Sequence, residues 1–191
     1  MKKMFSFAVI LLVAFAMNNT FAQGKNHLGI GVNLALPMGN FGDVAGVGIG
    51  GTASFEMEFT PNITGIGTAG YISFGGKDFT APGYSYSYGY SDIPILVGIK
   101  YYFTPGMPFY GIGQIGLHFF NANYSASSSI PGYTYSISGS SGSTSEFGLG
   151  LGVGYEIPVT ASGAIDVSGM IHIVSSSFTH IGIRAAYRFG I

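Results

Sequence analysis

The acid–base material of this 191-residue chain is sparse: four histidines, eight carboxylates, many serines and no cysteine. Without cysteine there is no disulfide, no thiolate metal ligand, no thiol nucleophile and no lipid-modified N-terminal cysteine. His172, Ser175 and Asp166 are the one Ser–His–acid grouping that lies close in sequence. A nucleophilic serine needs its histidine within hydrogen-bond reach and an acid behind that histidine. In an extended strand Asp166 and His172 share a face. The other histidines, His118 and His180, fall on strand segments, and His27 opens one. There is no HExxH pair, no glycine-rich phosphate loop leading into a helix and no aspartate-rich calcium loop. The expectation is no catalytic, cofactor-binding or metal residue. A net charge of −1 and the lack of a basic cluster offer nothing to a nucleic acid.

The charged residues share a different property, which is their phase. In the closing stretch from His180 to Phe189, Ile181, Ile183, Ala185, Tyr187 and Phe189 alternate with Gly182, Arg184, Ala186 and Arg188. Strand side chains alternate with period two, so one face is apolar and the other small or cationic. The pattern recurs. Leu28, Ile30, Val32, Leu34 and Leu36 oppose Gly29, Gly31, Asn33 and Ala35; Phe55 and Met57 oppose Glu56 and Glu58. Ile93, Ile95, Val97, Ile99 and Tyr101 oppose Lys100; Phe147 to Tyr155 oppose Glu146 and a run of glycines; Ile165 and Val167 flank Asp166. If the apolar faces meet lipid, then Glu56, Glu58, Lys100, Glu146, Asp166, Arg184 and Arg188 all point into a lumen. They must pair there, because an unpaired buried charge costs several kcal/mol. Arg184 or Arg188 with Glu56 or Glu58 is the expected pairing, and the glycines opposite Phe147 to Tyr155 are expected to leave room for the long cations.

Only 8% of residues are charged and the mean hydropathy is +0.42, yet the only long apolar run is at the N-terminus. Apolar character spread along alternating strands is what a membrane-spanning barrel needs. Lys2 and Lys3, an apolar core from Phe5 to Met17 and the small residues Thr20 and Ala22 read as a signal peptide over 1–22, leaving 23–191 as the barrel domain. Eight strands are expected, over 26–36, 47–59, 63–74, 93–103, 109–120, 145–155, 164–174 and 180–189. The faces of the third and fifth cannot be assigned. Short turns carrying Pro61, Pro105 and Pro158 alternate with longer connections, notably 75–91 and 121–144, read as irregular external loops. Phe59, Tyr101, Phe103, Phe109, Tyr155, Tyr187 and Phe189 gather near the short-turn end as an aromatic girdle.

The two loops echo one another, Pro82-Gly83-Tyr84-Ser85-Tyr86-Ser87 against Pro131-Gly132-Tyr133-Thr134-Tyr135-Ser136. Alternating tyrosine and hydroxyl residues suggest strands rising above the membrane. Tyr84, Tyr86, Tyr88, Tyr90, Tyr133 and Tyr135 form a candidate binding surface, because tyrosine supplies large rigid contact area at low entropic cost. The phase of Tyr84–Tyr90 differs from the apolar phase of residues 93–103, which requires a bulge near Asp92 or a change of face.

On its leader, its strands such as 28–36 and 147–155, and its end Tyr187-Arg188-Phe189, the chain resembles the OmpA/OmpX-like family of small eight-stranded outer-membrane barrels. The resemblance spans 23–191. It implies an all-β, eight-stranded antiparallel transmembrane up-and-down barrel in the cell outer membrane, surrounded by lipid and lipopolysaccharide. It further implies insertion by the barrel-assembly machinery, which reads the C-terminal aromatic signal; here Gly190-Ile191 follow that signal. It carries no active site. The expected role is structural or interactive at the cell surface, as a monomer, with a surface protein or glycan as the ligand of the loops. The alternatives are a lipid A-modifying enzyme, for which the family-type His-x-Ser order is absent, and a narrow pore, limited because eight strands leave a lumen that side chains fill.

Overall fold

The computed structural model describes residues 26–76, 79–81, 84–130, 133–175 and 178–191. The segment read as a signal peptide lies outside the described residues. The chain forms β1 (Asn26–Pro37), a one-turn helix α1 (Asn40–Val44), β2 (Ala45–Thr60), β3 (Ile63–Gly76), a three-residue β4 (Phe79–Ala81), β5 (Tyr84–Tyr102), β6 (Phe109–Ile130), β7 (Tyr133–Pro158), β8 (Gly163–Val174) and β9 (His180–Gly190). Each long strand pairs antiparallel with its neighbours, and β9 pairs back onto β1, so eight strands close into a barrel with β4 as an appendage of β5. Closure satisfies backbone groups that lipid cannot. Stepping between partners from Asn26 through Met57, Gly65, Ile99, Gly113, Leu151, Ile171 and Ile181 returns to β1 at Leu36. That stagger is what tilts the strands against the barrel axis.

The apolar residues lie outside. Ile30 is 65% exposed and Ile49 65%, while Glu56, Lys100 and Asp166 inside are 0% exposed. This is the inverse of a soluble core and the arrangement a lipid-embedded wall requires. β3 and β6 resist reading from sequence because both their faces are apolar. Ile66, Ile72 and Phe74 of β3, and Tyr110, Ile112 and Phe120 of β6, are the apolar residues among those facing inward.

Three connections differ in part from the sequence reading. The turn-rich stretch after β1 contains α1, whose Phe41 is buried. A register shift between Ala45 and Gly48 turns Ala45 inward beside it. The segments 75–91 and 121–144, read as long external loops whose alternating tyrosine and hydroxyl residues suggest rising strands, are largely strand: β5 starts at Tyr84, and β6 and β7 stay paired out to Ile130 and Tyr133. The serine-, tyrosine- and glycine-rich composition hid the extent of the ladder. A sheet of β4, β5, β6 and β7 therefore rises beyond the apolar band. At the opposite end the connections are short. Asn62 donates from Nδ2 to the Tyr102 carbonyl at 2.9 Å, and its own carbonyl accepts the Tyr102 N–H at 2.8 Å, tying one turn to the next strand.

Candidate functional site

From the short-turn end upward, the lumen has three levels. The first is an ion-pair network centred on Lys100. Inward phase on β5 places Lys100 opposite Thr64 of β3 and Ile112 of β6, fully buried. Its Nζ lies 2.6 Å from Asp166 Oδ2, 2.7 Å from Glu56 Oε1 and 3.1 Å from Glu156 Oε1. The Asp166 and Glu156 contacts are hydrogen bonds; Glu56 Oε1 receives charge without a hydrogen bond. Lys100 also stands 4.5 Å from the centre of the Tyr110 ring, whose hydroxyl donates to Asp166. Arg184 reaches Asp166 at 3.0 Å, and Arg188 reaches Glu56 at 2.8 Å, Glu156 at 3.3 Å and Glu58 at 3.4 Å. Arg188 also donates to His27 Nδ1 at 3.0 Å, and Tyr102 donates to Glu156 at 2.7 Å.

The structure thus brings together six of the seven lumen charges read from sequence. Glu146 stands apart near the other end, where it accepts from Thr144 at 3.0 Å. Arg184 is paired with Asp166 rather than with a β2 carboxylate. Glu156 belongs to the network but lies one residue past the expected strand end. It shares the phase of Glu146 and Gly154, so extending that alternation by one residue would have found it. The inward glycines of β7 accommodate other side chains than the cations. A Cβ at Gly154 would collide with the Tyr110 ring, and one at Gly148 would sit 2.6 Å from His118. Below the network a vestibule of about 590 Å³ opens among His27, Glu58, Tyr102, Glu156 and Arg188.

The second level is a histidine cluster. His118, from β6, holds Asp92 Oδ2 at 2.7 Å through Nδ1. His172 stacks on His180 with ring centres 4.8 Å apart, and His118 lies 5.8 and 6.1 Å from the two. Among the described residues no set of three or more His, Cys, Asp or Glu side chains is placed to hold a metal ion. His172 is engaged here while Asp166 is engaged by Lys100 and Arg184, so the two are not assembled into a Ser–His–acid triad.

The third level is an aromatic plug. Phe41 contacts Phe74, Tyr90, Phe120 and Phe178 edge-on, with ring centres 5.0 to 6.0 Å away, and Phe120 stacks on Phe178 at 4.2 Å. Tyr90, assigned to the external surface from sequence, is part of this plug.

Beyond the plug, the phase question near Asp92 is settled by a change of face. The β5–β6 register runs unbroken, so Tyr88 and Tyr90 keep the inward phase of Asp92 and Lys100. The row of outward apolar residues on β5 simply stops at Ile93, with Ser91 and Gly89 next in phase. On β7 a bulge between Ala122 and Asn123 of its partner strand reverses the phase. Tyr135 and Ile137 thereby join Tyr88 and Tyr124 on the same face, all exposed. The side chains of Tyr84, Tyr86 and Tyr133 lie outside what the structure describes. Among the described residues the far edge of β7 has no strand partner before Gly148, where β8 begins to pair.

At the short-turn end, Phe59, Tyr101, Phe103, Phe109, Tyr155 and Tyr187 are all exposed on the outer wall, as an interfacial belt requires.

A family model described as "Outer membrane protein beta-barrel domain" matches residues 7–189. No curated protein matches the sequence. Among solved structures, the chain is similar to Ail, the attachment invasion locus protein of Yersinia pestis, at 15% identity and a TM-score of 0.53, over 88% of this chain and 98% of that one. Ail in complex with the heparin analogue sucrose octasulfate gives the same score at 16% identity, again over 88% and 98%. A major outer membrane protein from Thermus thermophilus also scores 0.53, at 10% identity over 87% of this chain and 99% of that one. These likenesses share the fold and little sequence. The extent of the family match, the closed wall and its outward apolar face agree: the chain belongs to the outer membrane protein beta-barrel domain family and is a small eight-stranded barrel of the outer membrane.

Proposed function

We propose that the protein works at the cell surface by presenting its β4–β7 sheet to a ligand, with the barrel as a membrane-embedded stand. One observation carries this reading: the sheet continues well past the lipid-facing band, pairing β6 with β7 out to Ile130 and Tyr133, and ends in an exposed tyrosine face and a β7 edge with no partner among the described residues. An open edge and a rigid aromatic face are what strand addition and surface recognition use. A barrel needs neither in order to span the membrane. Residues 1–22 act as the removed signal peptide, and Tyr187-Arg188-Phe189 is the signal for the barrel-assembly machinery. Closure of β9 on β1 within one chain supports a monomer.

The test is to excise residues 123–140 and rejoin the hairpin through an Asn-Gly turn, which suits a two-residue connection. Whole cells expressing the variant are expected to lose adhesion to surfaces that the parent cells bind, with the barrel still folded by heat-modifiable gel migration. Undiminished adhesion by the truncated barrel contradicts the reading.

A further inference from the structure

We propose that the tyrosine face of the β4–β7 sheet is a stacking platform for an uncharged glycan; the inference rests on the surface-recognition reading above. Tyr88 and Tyr124 are direct cross-strand partners, and Gly139 is the next residue in the same row. Partners in a row have Cβ atoms only about 4.5–5.5 Å apart. Tyr124 lies across β7 at that glycine. A Cβ at Gly139 would come within 2.7 Å of the Tyr124 hydroxyl and 2.9 Å of its ring. The missing side chain therefore leaves room for the Tyr124 ring over β7. Tyr135, 65% exposed, and Ile137 lie on the neighbouring rows of the same face.

A pyranose ring presents a face of C–H bonds, each slightly positive, which suits the negative face of an aromatic ring. Its hydroxyls then meet the tyrosine hydroxyls of the same face. Charge decides between glycan classes. Residues 121–145 contain no charged residue, and Lys77 with Asp78 beside it is the only oppositely charged pair in the 75–91 segment. Sulfated or carboxylated glycans are held by clusters of arginine and lysine. The solved complex of Ail with a sulfated heparin analogue thus has a ligand chemistry that this sheet is not built to repeat.

The test uses the full barrel folded in lipid nanodiscs. It is offered chitohexaose, cellohexaose, mannan and dextran, with heparin and polysialic acid as polyanionic comparators. At least one neutral glycan is expected to bind saturably and without sensitivity to salt, while the polyanions do not. Tyr124→Ala should weaken that binding by about tenfold or more, as loss of a central aromatic contact does. Gly139→Val, which keeps every tyrosine but lifts the Tyr124 ring, should weaken it similarly. Ser138→Ala, out of phase with that row, should leave it unchanged. Heat-modifiable migration confirms that each variant is folded. Binding of heparin but of no neutral glycan overturns the inference, as does neutral-glycan binding that survives both Tyr124→Ala and Gly139→Val. If hairpin excision abolishes adhesion while the intact barrel binds none of the neutral glycans, the glycan inference fails and the surface-recognition reading stands.

Discussion

Lys100 is the residue on which the lower lumen depends. Three carboxylates lie within 3.1 Å of one ammonium that is wholly buried. Lys100→Met removes the compensation and leaves buried carboxylates facing one another. The expected loss is about 3–5 kcal/mol, the usual cost of breaking a buried pair from one side. It is read as a lower urea midpoint in lipid vesicles. Neutralising partners in the same chain, with Glu56→Gln and Asp166→Asn, should recover much of the loss; an unchanged midpoint for Lys100→Met contradicts the network's role. Two glycines make a second comparison. Gly154→Val places atoms against the Tyr110 ring and is expected to cost about 1–3 kcal/mol, as overpacking does. Gly169→Val, where a Cβ meets nothing within 4 Å and points outward, should leave the midpoint unchanged or raise it. A larger loss for Gly169→Val than for Gly154→Val would contradict this assignment of inward and outward faces.

Among the elements, α1 is too short to be stable by itself, since isolated helices need about 12–15 residues. Its place is fixed by Phe41 inserted among Phe74, Tyr90, Phe120 and Phe178. Phe41→Ala should therefore lower stability by about 3–5 kcal/mol, measured by the same urea titration; a loss far below this would mean that the plug is loosely packed. The strands differ in how much the sequence disclosed. β1, β8 and β9 alternate legibly because most of their inward residues are glycine, alanine, serine or charged. β3 and β6 do not, because they line the plug and the hub with Ile72, Phe74, Tyr110 and Phe120. The tyrosine–hydroxyl alternation pointed to strands above the membrane, but the length of the hairpin was hidden for another reason. Above the membrane neither face needs to be apolar, so the hydropathy period that reports a strand vanishes while the hydrogen-bond ladder continues. The bulge that turns Tyr135 onto the tyrosine face leaves only a weak trace in sequence, Gly142 with φ 134° in a run of serines.

For the whole molecule, the lumen is filled at each level by ion pairs, imidazoles and aromatic rings. That the charges face inward was legible in their phase along the chain, since lipid leaves them no alternative. The pairing of Arg188 with Glu56, 132 residues apart, was among those expected, whereas the gathering of Asp166 and Glu156 around Lys100 was not, because it is set by the stagger of closure. A filled lumen predicts that the folded protein in planar bilayers shows no conductance steps; regular steps from the intact chain would contradict the plug and network together.

Lumen network, plug and external sheet all depend on one property of the wall, that the apolar phase of every strand faces lipid. The chain has no cysteine, so each introduced cysteine is unique and can carry one nitroxide. The most direct measurement is a nitroxide scan along residues 28–36 of β1 in lipid vesicles, recording accessibility to oxygen, which concentrates in the hydrocarbon. Leu28, Ile30, Val32, Leu34 and Leu36 should report high oxygen accessibility. Gly29, Gly31, Asn33 and Ala35 should report low values, so that the profile has a period of two. A flat profile, or the same period with the phases exchanged, would contradict the lipid-facing barrel.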